Sequence, residues 1–208
     1  MARKLTKKGE IARARILRGA EKLFADKGFY GASIRDVALE VGIATASLLH
    51  HFSTKERLYG AVLERIAADL TAAMTSAVEG RGDHATRLRR LLKMFVGWAI
   101  EEAGRARLLL RELLDNTARL EGEPRLYLAD LVERIAEFIR DGQRHHAFRD
   151  VDPELFVVHM AGSVSYYVVA RPTLSRILDT PAGAMDRRYR RDVLARLQDA
   201  LVHTGARQ

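Results

Sequence analysis

Ile34, Val37, Ala38 and Val41 recur at i, i+3, i+4 and i+7, the spacing that gathers apolar side chains on one face of an α-helix. Leu58, Val62, Ile66, Leu70 and Met74 hold a similar stripe over several turns and predict a long helix. Helix breakers separate such segments: Gly28 with Gly31, Gly42, the run Gly80 to Asp83, Gly104, Gly122 with Pro124, Gly142, Pro153, Pro172, and Pro181 with Gly183. No alternating strand pattern competes with them. The run from Leu155 to Ala170, rich in Val and Tyr, reads as either a buried strand or a helix, and its length favours the helix. His159, Gly162 and a span of only 16 residues make it a poor membrane crossing. The chain is predicted to be all-α.

Three short helices are expected first, over Gly9 to Lys27, Ile34 to Val41 and Thr45 to His51, followed by a longer one from Thr54. Ser33 with Asp36 has the spacing of a capping box, and Ser53 with Glu56 repeats it. Gly42 can adopt the left-handed conformation that ends one helix before the next begins, and Ile43 can fill the space between them. Two short helices joined by a tight turn have the layout of a helix-turn-helix.

Composition narrows the picture. At 208 residues and 23.4 kDa, with 48% hydrophobic and 30% charged residues, the chain can bury a sizeable core and does not have a disordered composition. Cysteine is absent, which removes disulfides, thiolate metal sites and cysteine nucleophiles. The N-terminal residues are basic and lack the apolar run of a secretory signal, so a cytoplasmic location is expected. Net charge is +8, and its distribution says more than its size. Residues 1–57 hold 12 Lys/Arg against 6 Asp/Glu, whereas residues 58–208 hold 23 against 21. The charge shift places a boundary near residue 57, giving a basic arm over 1–8, a small module over 9–57 and a larger helical domain over 58–208.

The stretch from Gly28 to Ala38, then Val41-Gly42-Ile43, then Ser47-Leu48-Leu49-His50-His51-Phe52 with Lys55 and Leu58, resembles the tetracycline-repressor (TetR) family of bacterial transcription regulators. The likeness covers about residues 10 to 60, including Ile16, Ala20, Leu23 and Phe24 of the leading helix. It implies a three-helix DNA-binding head on an α-helical body that binds ligand and dimerises. Carried over by position, Thr45, Ala46, Ser47 and His50 would reach base edges in the major groove. Ser33, Arg35, His51 and Lys55 would meet phosphates. This chain has Leu49 where the family usually has a phosphate-contacting tyrosine, so that contact would be lost, or replaced by His50 or His51. Arg3, Lys4, Lys7 and Lys8 of the arm would follow the DNA backbone or enter the minor groove.

For the body, the resemblance implies that the last two helices pair with their symmetry mates. Val158, Gly162, Ser165, Val193, Leu197 and Leu201 are the expected dimer interface, with buried monomer core as the alternative. Met74, Phe95, Trp98, Leu109, Leu113, Tyr127, Phe138 and Met160 are the candidates to line an apolar effector cavity, with ordinary core as the alternative for each. The expected partners are a double-stranded operator, a small-molecule effector and a second copy of the chain, with no membrane and no cofactor. The implied function is a ligand-responsive repressor on a palindromic operator. A helical adaptor that binds protein is the alternative. No phosphate-binding glycine loop, nucleophile elbow or His-Glu-x-x-His motif points to an enzyme. The adjacent pairs His50-His51 and His145-His146 cannot chelate a metal from one helix face, and no metal site is expected.

Overall fold

A computed structural model describes residues 7–115 and 127–202, with the side chains of 9–114 and 127–202. The arm residues Arg3 and Lys4, the breakers Gly122 and Pro124, and His203 lie outside the described residues, as do the side chains of Lys7 and Lys8. The described residues form α1 (Lys7–Gly31), α2 (Ile34–Val41), α3 (Thr45–His51), α4 (Lys55–Glu79), α5 (His84–Glu101), α6 (Ala103–Asp115), α7 (Ala129–Arg144), α8 (Pro153–Ile177) and α9 (Ala182–Leu201). Among these residues the only extended pairing is an isolated antiparallel bridge between Phe148 and Val202. No helix among them is long and apolar enough to cross a membrane.

The helices divide into two compact units. Of the described residues, the first contains 7–67 and 107–115, and the second 68–106 and 127–202. The boundary in α4 therefore falls ten residues beyond the charge shift. The reason is burial: Leu58, Tyr59, Val62, Leu63 and Ile66 of α4 join Ile16, Leu17, Ala20 and Phe24 of α1 among the buried side chains of the first unit. Phe24 meets Tyr59 edge to face at 5.0 Å, and Arg65 pairs with Glu21.

Local chemistry sets the head's helix ends. α1 is broken at Gly28, whose φ of 72° and ψ of 178° depart from the helix. Ser33 caps α2 by a reciprocal box: its hydroxyl accepts from the Asp36 amide at 3.1 Å, and the Asp36 carboxylate accepts from the Ser33 amide at 2.9 Å. At the other end Gly42 is left-handed (φ 69°, ψ 44°), and the Ile43 amide reaches back to the Ala38 carbonyl at 3.0 Å. A Cβ built on Gly42 meets nothing within 4 Å, so only backbone strain opposes a side chain there. Gly42→Ala is accordingly expected to lower stability by about 1 kcal/mol, and Gly42→Asn by less, in urea unfolding. Equal losses for the two would remove the left-handed backbone as the cause.

Several helix ends differ from the sequence expectation, beginning with α1, which starts at Lys7 and not at Gly9. The second capping residue is Thr54, not Ser53: its hydroxyl accepts from the Arg57 amide at 3.2 Å. Glu56 is held below its ordinary carboxylate value by its own backbone amide and then by the Thr54 hydroxyl. α8 continues past Pro172 instead of ending before it, although the proline ring gives up one amide bond. The apolar pattern of the last segment predicts a helix from Arg187 to His203; α9 begins five residues earlier, at Ala182.

In the second unit α5, α8 and α9 pack pairwise, and α7 lies on α8. α7 buries Leu131, Ile135, Phe138, Ile139 and Gly142 on one face. Its other face carries a ladder in which Arg140 binds Glu133 at 3.1 Å and Glu137 at 3.3 Å, and Arg144 binds Glu137 at 2.9 Å. α8 and α9 are joined by polar contacts: Tyr167 stacks on Tyr189 at 3.7 Å, and its hydroxyl donates to Asp186 at 2.7 Å. Burial, then that bond to Asp186, keeps the Tyr167 hydroxyl protonated well above its usual range.

Candidate nucleic-acid interface

Within α3, Leu48 is fully buried. Residues two positions away are about 200° around the helix, so Ala46 and His50 face away from the core. Thr45, Ala46, Ser47, Leu49 and His50 are all exposed. The tertiary structure thus presents all four expected base-contact residues on the outside of one short helix, which the buried Leu48 and Phe52 anchor to the head. Arg13 lies over the Phe52 ring at 5.0 Å and covers this anchor from α1.

The expected phosphate contacts have mixed surroundings. Arg35 is exposed. Ser33 is exposed too, but its hydroxyl also donates to Asp36 at 2.7 Å, so its hydrogen is committed to the cap. That bond and the Ser33 amide hold the Asp36 carboxyl below its ordinary value. Lys55 is half-buried, with its ammonium 4.4 Å above the Phe29 ring. His51 is half-buried and meets the exposed His50 edge to face at 5.9 Å. Tyr30, which sequence reasoning did not single out, is exposed and stands edge to face on Phe29 at 5.2 Å. The Gly28 break just before it was the available signal.

In the second unit, Met74, Phe95, Phe138 and Met160 are buried, while Trp98 and Tyr127 are half-buried. Phe95 and Trp98 stack at 6.4 Å. The other two residues expected at the effector cavity fall in the first unit, where Leu109 is buried and Leu113 is 64% exposed. A groove of about 690 Å3 runs between the C-terminal half of α8 and α9, lined by Tyr167, Leu174, Met185, Arg188, Tyr189 and Arg196 among others. None of the expected cavity residues lines it.

The six expected interface residues separate by helix. Val193, Leu197 and Leu201 of α9 are buried among the chain's own helices. On α8, Val158 is 60% exposed, Gly162 is exposed and Ser165 is half-buried. Leu155, Tyr166 and Val169 extend the exposed positions on α8.

Comparison with known proteins adds to this geometry. The chain is 32% identical over 83 residues to the HTH-type transcriptional activator FasR of Mycolicibacterium smegmatis, covering 40% of this chain and 38% of that protein. It thus spans well under half the length of that relative. It is 32% identical over 157 residues to the HTH-type transcriptional repressor Rv3405c of Mycobacterium tuberculosis, covering 76% of this chain and 72% of the repressor. The solved structure of AibR in complex with isovaleryl coenzyme A and operator DNA shares the fold, with a TM-score of 0.64 at 22% identity over 76% of this chain and 85% of that one. Residues 16–62 match the family described as bacterial regulatory proteins, tetR family, and residues 85–197, more than half of the chain, match the tetracyclin repressor-like C-terminal domain. With a capped helix-turn-helix ahead of an all-α body, and both parts matched in order, the chain belongs to the TetR family of regulatory proteins.

Proposed function

We propose that this protein is a ligand-responsive repressor that binds a palindromic operator as a homodimer and leaves it when a small molecule occupies the helical body. The observation that carries the DNA-binding reading is the outward face of α3. Small or polar side chains at Thr45, Ala46, Ser47 and His50 surround a buried anchor, within residues 16–62 that match the tetR family. Short side chains permit close approach to base edges, and the excess of Lys and Arg in residues 1–57 supplies attraction to phosphate. The arm residues Arg3, Lys4, Lys7 and Lys8 add to that attraction.

Homodimerisation is supported by the exposed α8 positions and by the two-fold symmetry that a palindrome requires. The effector reading is supported by the family match over the body and by the AibR structure, which holds isovaleryl coenzyme A and operator DNA. Such an effector works only if it binds the DNA-incompetent state more tightly than the competent one. Repression is the family's usual sign, and Rv3405c carries that name while FasR is named an activator.

Selection of bound sequences from a random DNA pool, followed by gel-shift titration over a range of salt, tests the reading. An enriched palindrome is expected. Ser47→Ala and His50→Ala are each expected to cost about 1–3 kcal/mol on that palindrome and to relax selectivity at particular positions. Arg35→Ala is expected to weaken all sequences alike and to flatten the salt slope by about 1. A pool that enriches nothing would reject sequence-specific recognition and favour the protein-binding adaptor.

A further inference from the structure

The adjacent pairs His50-His51 and His145-His146 cannot chelate a metal from one helix face. Folding creates a different set, far from α3. We propose that His84, Asp141 and His145 form a binding site for one divalent transition-metal ion of the zinc class, tying the start of α5 to the end of α7. The inference stands on the second unit alone and does not depend on the DNA-binding reading.

The donor atoms of the three residues all lie within 4.8 Å of one another. His84 Nε2 is 2.9 Å from one Asp141 carboxylate oxygen, and His145 Nδ1 is 3.5 Å from the other. Metal–ligand bonds of about 2.0–2.2 Å in a tetrahedral site put donors roughly 3.3–3.5 Å apart. The observed spacing therefore needs changes within the reach of side-chain rotation. Two imidazoles and a carboxylate suit zinc better than calcium or magnesium, which prefer all-oxygen shells. Three protein donors leave one position for water.

The three side chains are positioned by their surroundings. His84 opens α5, whose capping Asp83 accepts from the Thr86 amide at 2.8 Å. Its ring is bounded by Phe138 at 6.1 Å, Phe148 at 5.7 Å and His145 at 5.3 Å, the last nearly parallel. Asp141 stands in the last turn of α7 and His145 caps its end four residues on, at the negative end of the helix dipole. The chain beyond is folded back firmly. The Ala147 amide bonds the Gly142 carbonyl at 2.8 Å, Gln143 donates to the carbonyls of Arg149 and Val151, and Phe148 lies where a side chain at Gly142 would stand.

Two interactions compete with the metal. Arg144 donates to Asp141 at 3.2 Å, and His145 Nδ1 lies 2.9 Å from the Asp141 carbonyl oxygen. Coordination requires the His145 ring to turn from that carbonyl and carry its proton on Nε2. Arg144 can keep its bond to the carboxylate oxygen that does not ligate, acting as an outer partner. The plain alternative is a hydrogen-bonded clamp between His84 and Asp141, with His145 a solvated helix end. That clamp would be indifferent to metal.

The test uses the tag-free full chain, stripped with chelator and titrated with cobalt(II) and zinc(II). One equivalent per chain is expected, with visible ligand-field absorption for cobalt and a zinc-dependent rise in the unfolding midpoint. His145→Ala, an exposed position that should not disturb folding, is expected to weaken binding at least about tenfold and to abolish the midpoint rise. Asp141→Asn should act likewise, while the His50→Ala/His51→Ala variant should bind as the parent does. Absence of stoichiometric binding would overturn the proposal. So would binding that survives His145→Ala, or that is lost with His50 and His51 instead.

Discussion

Val158→Glu combined with Tyr166→Glu is expected to leave the chain folded, make it monomeric, and reduce operator affinity by about 10²–10⁴-fold as the second half-site is lost. Leu155, Val158, Gly162, Tyr166 and Val169 are spaced by three, four, four and three residues, so they form one stripe along α8. All are exposed, with Tyr166 at 71%, whereas Phe156, Met160, Val164 and Val168 are buried on another face of the helix. At the centre of the stripe a Cβ on Gly162 would meet nothing within 4 Å, leaving room for a second helix to approach closely. Each large apolar side chain buried there would contribute roughly 1.5–3 kcal/mol, and a carboxylate in its place would have to be stripped of water without a partner. Sedimentation equilibrium and gel shift on the same samples check this. A variant that remains dimeric would remove α8 as the interface. Leu197→Ala, on the buried side of α9, should instead lower the stability of the chain itself.

The second large effect is expected at Phe24, which is fully buried in the head. Its ring meets Tyr59 edge to face at 5.0 Å and lies 6.5 Å from Phe29, so it joins α1 to α4 and to the last residues of α1 beyond the Gly28 break. Phe24→Ala removes those contacts and leaves a cavity in a small core, a loss of about 3–5 kcal/mol. Tyr30→Ala, only six residues away but exposed, should fall within about 0.5 kcal/mol of the parent. Denaturant unfolding of the two variants gives the comparison. Similar losses for both would mean that burial does not govern this region.

The head was legible because its information is local. Ser33 with Asp36, Gly42, and apolar residues at helical spacing each act within one or two turns, and α2 and α3 have the bounds read from the sequence. The cap of α4 slipped by one residue because Ser53 and Thr54 are both competent caps. The bond from the Arg57 amide to the Thr54 hydroxyl, and the hold of that hydroxyl on Glu56, distinguish them. Pro172 looked like a helix end because sequence shows the missing amide and the ring, but not the packing that carries α8 past it.

The body followed a different logic. Its apolar stripes showed that helices form, but a stripe looks the same whether it faces the chain's own core or a second copy. Val193, Leu197 and Leu201 were expected to face a partner and are buried within the monomer, while the α8 stripe remains exposed. The same limit hid the proposed metal site. Asp141 and His145 are one turn apart and visible as a pair, but His84 is 57 residues from Asp141 and reaches it only through the packing of the second unit. Sequence alone determined that the chain is all-α, the bounds of α2 and α3, and which side chains α3 can offer. Tertiary structure decided which apolar faces are already covered and which distant polar groups meet, because burial and long-range contact depend on neighbours that no local pattern specifies.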